Sequence, residues 1–420
     1  MVAKSATLVM NEMMQKAVAE GRDVVNLGFG EAGLPVLPAL RGIMASDSAR
    51  NAYPAVQGGP AVREAVAGYF RRRGIGADAE RIVMAPGSKA LLFALMQALD
   101  GDLILARPSW VTYAAQARLN GKRIVWVDAP AEAGGVPDPA LLEDAIAKAR
   151  AAGLDPRIML LTSPDNPSGT VAPRGIVATL ARIAREEDLA IISDEIYRDL
   201  AYDQTAFTSP AQLAPERTFV TTGLSKSMAL GGWRIGAARF PLNDLGGRVM
   251  ASVIGTGSEI WSGMPIFLEP VAEYCFDEPA DVVERVARSR RLHETVSREV
   301  WRIMREAGAA CREPSGAFYL YPTFAGSALA EALGVHDDAG LSRALLDRFG
   351  IGSLPGSAFG DRPERMGLRI VTSMMYGAGD EERLATLESD RPLDSPSVRH
   401  GLERTRDVFV GAGARVASMA

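Results

Sequence analysis

The sequence has few of the residues that build disulfide frameworks and metal centres. Its 420 residues include two cysteines, Cys275 and Cys311, and three histidines, His293, His336 and His400. Two cysteines give neither a disulfide framework nor a metal-binding spacing, and so few histidines argue against a histidine-based metal site. This usage is typical of a reducing compartment. We therefore expect a cytoplasmic protein without a metal ion.

Long apolar runs and an excess of positive charge are also lacking. No apolar stretch approaches the length of a membrane span, and the amphipathic stretch 1–23 is not expected to be a signal peptide. The formal net charge is −5, which leaves no basic footprint for nucleic acid. We expect neither a membrane nor a nucleic acid among the partners.

Short apolar runs alternate with longer helical patterns along most of the chain. Hydrophobic residues make up 47% of it and charged residues 23%, which is ordinary for a globular protein. Several short runs are apolar nearly throughout, as in strands that are buried on both faces. The predicted strands cover residues 81–86, 102–108, 122–129, 157–164, 189–195 and 217–223, with predicted helices such as 89–99 and 139–153 between them. This alternation predicts the α/β fold class, with a mostly parallel sheet between helices.

The pattern changes near residue 290. A long arginine-rich helical region, 283–307, leads into the predicted strand CREPSGAFYLYPTF, and further helix and strand follow, including GLRIVTSMM (367–375). The tail after about residue 387 is polar and has no assigned role. These changes predict three parts: an N-terminal segment (1–45) that packs with the small domain, a large domain (46–290), and a smaller α+β domain (291–420).

Polar residues follow four of the predicted strands. In α/β sheets, ligands bind beyond the carboxyl ends of the strands, so these residues are candidates for a site. Each group alone has an ordinary structural explanation, as a turn or a helix cap. The groups are Gly87-Ser88-Lys89, then Asp165-Asn166-Pro167-Ser168-Gly169, then Asp194 with Tyr197, and last Ser225-Lys226.

Taken together, these segments resemble one family, the fold-type I pyridoxal-phosphate enzymes of the aspartate aminotransferase group (class I and II aminotransferases). TSPDNPSGT, SDEIY, SK with GGWRIG, and LRI occur in this order, and AYPAVQGGPAVREAVAGYF and PSGAFY also match. The resemblance runs from about residue 27 to residue 369. It implies a large domain with a mostly parallel seven-stranded sheet, a smaller α+β domain, and pyridoxal 5'-phosphate as cofactor.

The resemblance makes Lys226 the residue that forms a Schiff base with the cofactor, and afterwards the general base. The chain has only six lysines, and a lysine amine can form this bond where an arginine cannot. Asp194 is implied to keep the pyridine nitrogen protonated. Tyr197 and Asn166 are implied to hydrogen-bond the phenolic oxygen of the ring, and Trp110 to stack on its face.

The resemblance also implies residues for the cofactor phosphate. Gly87, Ser88 and Lys89 offer backbone amides at the start of a helix, together with side chains. Arg234 is implied to pair with phosphate oxygens, and Ser225 lies close enough in sequence to help.

Further residues are implied for the substrate and for a second subunit. Arg369 matches the arginine that clamps the substrate α-carboxylate, with Asn166 and the N-terminal Gly28 nearby. Tyr53 matches a tyrosine that reaches the phosphate in the neighbouring subunit, which implies a homodimer with shared sites.

Three departures from the family pattern bear on the site. Gly223 stands where the family often has a hydroxyl residue, so a phosphate donor is lost or Thr222 replaces it. GEAGLP (30–35) replaces a GEPDF-like stretch. GTGSEIWSGMP (255–265) holds Glu259 and no arginine. A buried carboxylate without a partner is costly, so we predict that a neutral or cationic substrate side chain is preferred over an acidic one.

The sequence therefore predicts an aminotransferase that moves the amino group of an α-amino acid to a 2-oxo acid. Two alternatives stay open. The same residues can support β- or γ-elimination, replacement or other carbanion chemistry, because a fold does not fix a function. A regulatory or binding protein with a degenerate transaminase domain is the other, although the complete set of candidate residues speaks against it.

Overall fold

The computed structural model describes residues 6–411 of the chain. The predicted parts that begin at residue 1 and end at residue 420 extend beyond this range. Within it, the strands are β1 (Val25–Asn26), β2 (Ile82–Pro86), β3 (Asp102–Arg107), β4 (Ile124–Asp128), β5 (Pro156–Thr162), β6 (Ala190–Asp194), β7 (Thr218–Gly223), β8 (Ile235–Arg239), β9 (Tyr319–Leu320), β10 (Ile351–Gly352), β11 (Leu354–Pro355) and β12 (Leu368–Val371).

The helices flank these strands along the whole described range. They are α1 (Ala6–Ala19), α2 (Pro38–Asp47), α3 (Pro60–Arg72), α4 (Ser88–Ala98), α5 (Val111–Leu119), α6 (Pro139–Ala151), α7 (Arg174–Glu186), α8 (Pro210–Leu213), α9 (Leu224–Ser227), α10 (Asp244–Ile260), α11 (Glu269–Asp277), α12 (Ala280–Glu306), α13 (Ala328–Leu333), α14 (Asp338–Phe349), α15 (Asp380–Glu388) and α16 (Pro396–Phe409).

Seven strands form the main sheet, in the order β2-β8-β7-β6-β5-β3-β4. All neighbouring pairs are parallel except those of β8, which runs antiparallel to both β2 and β7. The predicted fold class and the seven-stranded, mostly parallel sheet are thereby confirmed, and each of the six strands predicted from the sequence is present.

The main sheet is buried on both faces because helices cover each side. Along β3, Leu103 and Leu105 pack in one hydrophobic core with residues of α4. The intervening Ile104 packs in another core with residues of α6 and α7. This alternation follows from the two-residue period of a strand, and it explains why the strands read as continuous apolar runs.

Local capping sets where the covering helices begin. The side chain of Asp138 accepts a hydrogen bond from the backbone amide of Ala140 at 3.0 Å, and Pro139 follows as the first residue of α6. An aspartate cap satisfies an amide that has no partner within the helix, and proline at the first position has no amide to satisfy. The predicted helix 139–153 therefore begins at the predicted residue.

Two smaller sheets lie outside the main one. β11, β12 and β9 form an antiparallel sheet in that order. β1 pairs in parallel with β10, so that Val25 lies opposite Ile351. Met10 and Met14 of α1 pack in one core with Leu346 of α14 and Leu354 of β11, so the N-terminal segment is attached to the C-terminal part of the chain.

α12 connects the two parts of the chain without a break. Near its start, Val282 belongs to a core formed with α3, α11 and β8. From Leu292 onwards, its buried hydrophobic residues, including Val296, belong to the core of the C-terminal part. We propose that the large domain (46–290) and the small domain (291–420) meet within this helix, where the core residues change from one set to the other.

The polar tail after about residue 387 begins at the end of α15 and includes α16. Val398 and Phe409 of α16 are almost completely buried in the core of the C-terminal part, and the ring of Phe409 stacks on Phe324 with 5.6 Å between centroids. The tail therefore contributes to this core, although its charged residues had given the sequence analysis no role for it.

Candidate active site

A cavity of about 460 Å³ lies at the edge of the main sheet where the parallel strands end. Because β8 runs in the opposite direction, the residues that precede it reach the same edge, and Arg234 is one of them. The cavity is lined by most of the residues that the sequence analysis selected: Ser88, Lys89, Trp110, Asn166, Asp194, Tyr197, Ser225, Lys226, Arg234 and Arg369.

Lys226 enters the cavity from α9, directly after β7. Its Nζ donates a hydrogen bond to the carbonyl oxygen of Gly30 at 2.5 Å, and it lies 5.9 Å from the ring centroids of Tyr197 and Phe318. Burial lowers the pKa of the Lys226 amine to about 8, and the positive charge of Arg369 acts in the same direction. Only a neutral amine is a nucleophile, so this lowered pKa makes Lys226 more reactive near neutral pH than an exposed lysine.

Asp194 ends β6 and is 2% exposed. Its Oδ2 accepts a hydrogen bond from the Tyr113 hydroxyl at 2.8 Å, and its Oδ1 accepts one from Thr221 Oγ1 at 3.2 Å. Burial raises the pKa of Asp194 to about 6, while both hydrogen bonds act to lower it. The carboxyl group is therefore mostly ionised at neutral pH, and it is oriented by two neighbouring hydroxyl groups.

The turn between β2 and α4 is built for close contact. Gly87 has a φ of +85°, and a Cβ atom there would lie 2.2 Å from Arg234 Nη2. A Cβ atom on Gly236 of β8 would lie 2.3 Å from the carbonyl carbon of Gly87 and from the amide nitrogen of Ser88. The two glycines thus let β8 and Arg234 approach the N-terminus of α4, a position that favours anions.

Positive charge is concentrated beside this turn. The Lys89 amine lies 5.1 Å from the ring centroid of Trp110. Burial lowers the pKa of Lys89, and the charge of Arg234 lowers it further. Two cations near the amides of a helix N-terminus form a donor set that suits a phosphate group.

Arg369 lies on β12 and is 1% exposed. Its Nη1 donates to Asn166 Oδ1 at 3.5 Å, and its Nη2 donates to the carbonyl oxygen of Gly28. Among the described residues, its buried Nε atom has no hydrogen-bond partner. A buried guanidinium with a spare donor is suited to bind a carboxylate.

Gly28 and Tyr53 do not line the cavity within the chain. Gly28 contributes its carbonyl oxygen to Arg369, while Phe29, Gly30 and Glu31 are the residues of this segment that border the cavity. Tyr53, between α2 and α3, is 91% exposed. The assignments of Gly28 to the substrate and of Tyr53 to a neighbouring subunit stay predictions.

The structure explains why Gly223 departs from the family pattern. A Cβ atom on Gly223 would lie 2.5 Å from the carbonyl oxygen of Ile235 on the adjacent strand, so no side chain fits there. Thr222 is buried and borders a small cavity on the other side of β7, near Cys275, instead of the main one. The idea that Thr222 replaces the missing hydroxyl was therefore wrong, because successive side chains of a strand point to opposite faces.

Glu259 lies away from the cavity within this chain. It is exposed near the end of α10, where its Oε1 accepts a hydrogen bond from Ser258 Oγ. Trp261 lies beside Gly257 and packs against the core that contains residues of α4. The segment 255–265 thus contributes no lining residue to the cavity among residues 6–411.

Sequence reasoning missed several lining residues. Tyr113 and Tyr319 contact Asp194 and Tyr197 from distant parts of the chain, and no local motif indicates these contacts. Thr7 and Leu8 of α1 border the cavity as well. The only available signal was position, since Tyr113 lies one helical turn after Trp110 and Tyr319 belongs to the quoted PSGAFY motif.

Metal-binding clusters and membrane-spanning helices are absent from residues 6–411. No group of three or more histidine, cysteine, aspartate or glutamate side chains in this range has the arrangement of a metal site. No helix in the same range has the length and apolar character needed to cross a bilayer.

Comparison with known proteins agrees with this geometry. Residues 22–377 match the family model described as aminotransferase class I and II. An aspartate/prephenate aminotransferase from Thermus thermophilus is 34% identical over 330 residues, which cover 75% of this chain and 80% of that protein. One from Cereibacter sphaeroides is 32% identical over 380 residues, with 86% and 90% covered.

A solved structure shows the same fold over nearly the whole chain. The aspartate aminotransferase from Thermus thermophilus with maleate has a TM-score of 0.82 at 27% identity, and 97% of each chain is covered. The names of these relatives favour transamination over elimination or replacement. The chain belongs to the class I and II aminotransferases.

Proposed function

We propose that this aminotransferase uses pyridoxal 5'-phosphate to move the amino group of an α-amino acid to a 2-oxo acid. The observation that carries the proposal is the position of Lys226. Its amine has a lowered pKa and shares one cavity with the buried carboxyl group of Asp194 and with the cations Lys89 and Arg234. An amine, a ring-sized space and an anion site in one cavity are what this cofactor requires.

The lining residues fit the cofactor group by group. Bound pyridoxal phosphate supplies an aldehyde that condenses with amines and a ring that accepts electrons from the substrate α-carbon. In the proposal, Lys226 holds the aldehyde carbon, Asp194 holds the ring nitrogen, and Trp110 covers the ring face. The phosphate takes the N-terminus of α4 and the side chains of Ser88, Ser225 and Arg234, with Lys89 shared between the phosphate and the substrate.

Asp194 is suited to hold a protonated ring nitrogen. A carboxylate favours a positive charge beside it, and the pKa of about 6 leaves Asp194 mostly ionised at neutral pH. The Tyr113 and Thr221 hydroxyls, which donate to its two oxygens, stabilise the ionised form. Pairing with the ring nitrogen would lower this pKa further.

Lys226 has a second task in the proposed reaction. Once a substrate amine has displaced it from the cofactor, its neutral Nζ is positioned to remove the proton from the substrate α-carbon and to return it to the former aldehyde carbon of the cofactor. The lowered pKa of about 8 is close to the pH at which such a base works best. Arg369 and Asn166 hold the α-carboxylate meanwhile, so that the substrate stays oriented.

We propose an acidic amino acid as the preferred amino donor. The relatives are named after aspartate and prephenate. In this chain, the Lys89 amine lines the cavity and has no carboxylate partner among the described residues. The preference predicted from the sequence rested on the lack of an arginine in residues 255–265, with Glu259 as a partner for a cationic side chain, and Glu259 is exposed outside the cavity. Lys89 offers a side-chain carboxylate the partner that residues 255–265 do not provide.

We also propose a cytoplasmic homodimer. Tyr53 is 91% exposed within the chain, so its side chain is accessible to a second subunit. In a twofold dimer, Tyr53 of one copy would complete the phosphate site of the other. Both cysteines are free, in keeping with a reducing compartment.

The proposal is tested by loading the purified protein with pyridoxal phosphate. We expect a visible absorption band that survives dialysis, is fixed by borohydride and is missing in Lys226→Ala. Single amino acids should convert the cofactor to its amine form, and a 2-oxo acid should restore the band. Absence of a band in the wild type would refute the proposal, and release of ammonia without amination of the acceptor would indicate elimination.

Donor preference is tested by comparing kcat/KM for aspartate and glutamate with that for alanine, leucine, methionine and arginine. We expect at least a tenfold advantage for an acidic donor, about 1.4 kcal/mol. Lys89→Met should reduce this advantage more than it reduces the rate with alanine. An equal loss for all donors would assign Lys89 to the phosphate alone, and a better rate with neutral or cationic donors would restore the prediction from the sequence.

A further inference from the structure

The hydroxyl groups of Tyr197 and Tyr319 are 2.7 Å apart and form a hydrogen bond inside the cavity wall. The side chains are 4% and 0% exposed, and their rings meet edge to face with 5.4 Å between centroids. In the single hydrogen bond between these two hydroxyls, one donates its proton and the other accepts. If one hydroxyl donates its proton to a third group, it can only accept from the other.

This pair belongs to a closed group of four side chains. Asn166 Nδ2 donates to the Tyr197 hydroxyl at 3.4 Å, and Asn166 Oδ1 accepts from Arg369 Nη1 at 3.5 Å. The Arg369 guanidinium lies 5.3 Å from the ring centroid of Tyr319. Tyr319 therefore connects the residue proposed for the substrate carboxylate with the residue proposed for the cofactor ring.

The fold fixes the position of the Tyr319 hydroxyl. Tyr319 lies on β9, opposite Val371 of β12, so it is held beside Arg369 by the sheet. A Cβ atom on Gly30 would lie 2.9 Å from the Tyr319 hydroxyl oxygen. The glycine therefore leaves room for this hydroxyl and for Arg369 Nη1, which would lie 3.3 Å from the same Cβ atom. Burial raises the pKa of Tyr319 to about 12, which keeps its proton available for donation at neutral pH.

The direction of the hydrogen bond follows from the proposed function, on which this inference rests. If the Tyr197 hydroxyl donates its single proton to the phenolic oxygen of the cofactor, it has only acceptor capacity left for Tyr319. We propose that Tyr319 is a positioning residue, which donates to Tyr197 and thereby strengthens the donation of Tyr197 to the cofactor. Hydrogen bonds in a buried chain reinforce one another in this way.

The consequence is a change in proton affinity at the nitrogen that joins Lys226 to the cofactor. A stronger hydrogen-bond donor stabilises the negative charge of the phenolic oxygen. The stabilised oxygen attracts a proton on the neighbouring nitrogen less strongly, so the pKa of that nitrogen is lowered. Removing the Tyr319 hydroxyl should therefore raise the pKa of that nitrogen. The other charged or titratable groups around it stay in place, namely Glu31, Lys89, Tyr113, Asp194, Arg234 and Arg369.

The experiment is a pH titration of the visible absorption of the cofactor-loaded protein. For Tyr319→Phe we expect the pKa of the nitrogen, read from the change in the absorption band, to rise by about 0.3 unit. This is the effect of a roughly 10–30% weaker hydrogen bond from Tyr197 to the phenolic oxygen. Tyr197→Phe should raise the same pKa by about one unit. Tyr69→Phe is the matched control, because it removes another buried tyrosine hydroxyl, which donates to Asp199 away from the cavity.

A double variant separates a positioning role from a direct one. If Tyr319 acts through Tyr197, adding Tyr319→Phe to Tyr197→Phe should produce no further shift. A shift that persists in the double variant, or an unchanged pKa in Tyr319→Phe, would overturn the inference. Tyr319→Met, which also lacks the hydroxyl, provides the same measurement if the phenylalanine variant does not fold.

The outcome also distinguishes this inference from the proposed function. If the wild type shows no titrating band that depends on Lys226, the proposed function fails. If the wild type shows that band and Tyr319→Phe titrates at the same pH, the function stands and only the role of Tyr319 is lost.

Discussion

The Nζ atom of Lys226 donates a hydrogen bond to the carbonyl oxygen of Gly30 at 2.5 Å. This contact joins the edge of the main sheet to the N-terminal segment, which is itself held by the pairing of β1 with β10. The reactive amine is therefore positioned by both parts of the chain. Its burial between them is also the main reason for its lowered pKa.

Replacing Lys226 with alanine should abolish transamination while leaving the fold intact. We expect a loss of at least about 10⁴-fold in kcat, because nucleophile and general base are the same group. The measurement is steady-state transamination together with a thermal unfolding curve. Lys148→Ala, at an exposed lysine of α6 that pairs with Asp144, should retain full activity. Near-normal turnover in Lys226→Ala would refute the assignment.

The stability of the cofactor-free protein should depend on pH through Lys226. Its pKa is lowered from 10.5 to about 8 on folding, so between these values the unfolded chain binds more protons and stability rises with pH. Below about pH 8 the folded protein is destabilised by the full free energy of burying the Lys226 charge, and above about pH 10.5 this destabilisation is absent. Lys226→Met should be more stable than the wild type at pH 7, by a margin that shrinks over this window in urea unfolding. A margin that does not change with pH would contradict the lowered pKa.

Tyr113→Phe should weaken catalysis through Asp194. The variant loses the hydrogen bond to Oδ2, so the pKa of Asp194 rises above its value of about 6. A hydrogen bond to a charged group contributes roughly 1.5–3 kcal/mol, so a shift of about one unit is expected. The acid limb of the kcat–pH profile should move upward while KM changes little. Tyr202→Phe, which loses a hydroxyl bonded to the Ala317 carbonyl, is the control and should keep the wild-type profile.

Mixed dimers should reveal whether Tyr53 serves a neighbouring site. Tyr53→Phe and Lys226→Ala variants, each with low activity alone, should regain activity when combined, because one of the two sites then holds both intact residues. A matched mixture with Tyr274→Phe in place of Tyr53→Phe tests for nonspecific gains. Verified mixed dimers without recovered activity would place Tyr53 outside the partner's site.

Gly223→Ala should destabilise the protein at the start of α9. The added Cβ atom would lie 2.5 Å from the carbonyl oxygen of Ile235, and overpacking of this kind costs about 1–3 kcal/mol. Urea unfolding gives the free energy directly. Gly175→Ala is the control, because a Cβ atom at this exposed site of α7 meets nothing within 4 Å, and a small gain in stability is expected there.

The main sheet was predictable because its strands are apolar on both faces. The runs 157–164 and 189–195 became β5 and β6 almost unchanged, and the polar residues after them line the cavity as the topology of such sheets requires. β8 (IGAAR) was missed, since it is short and built from small residues without alternation. Its antiparallel direction, set by pairing with β2 and β7, is what brings Arg234 to the same edge.

The contacts that could not be predicted from the sequence join residues that are far apart along the chain. Tyr113 and Asp194 are 81 positions apart, and Tyr197 and Tyr319 are 122 apart. Motif spacing describes neighbours along a strand or turn and carries no information on such pairs. For Thr222, the alternation of side chains along β7 could have corrected the prediction, because Thr221 bonds Asp194 at the cavity and the next side chain points to the opposite face.

The contact between Arg369 and the carbonyl of Gly28 joins residues 341 positions apart, with consequences for biosynthesis. Until the last third of the polypeptide has left the ribosome, β1 lacks its pairing strand, and the apolar side chains of α1 lack the surface they cover. The early part of the sheet can assemble during translation, whereas the substrate-binding end of the cavity must wait until Arg369 has been synthesised. Nascent chains therefore carry an unpaired N-terminal segment until β10 is available, and in this interval chaperones and proteases can act on the exposed apolar surface.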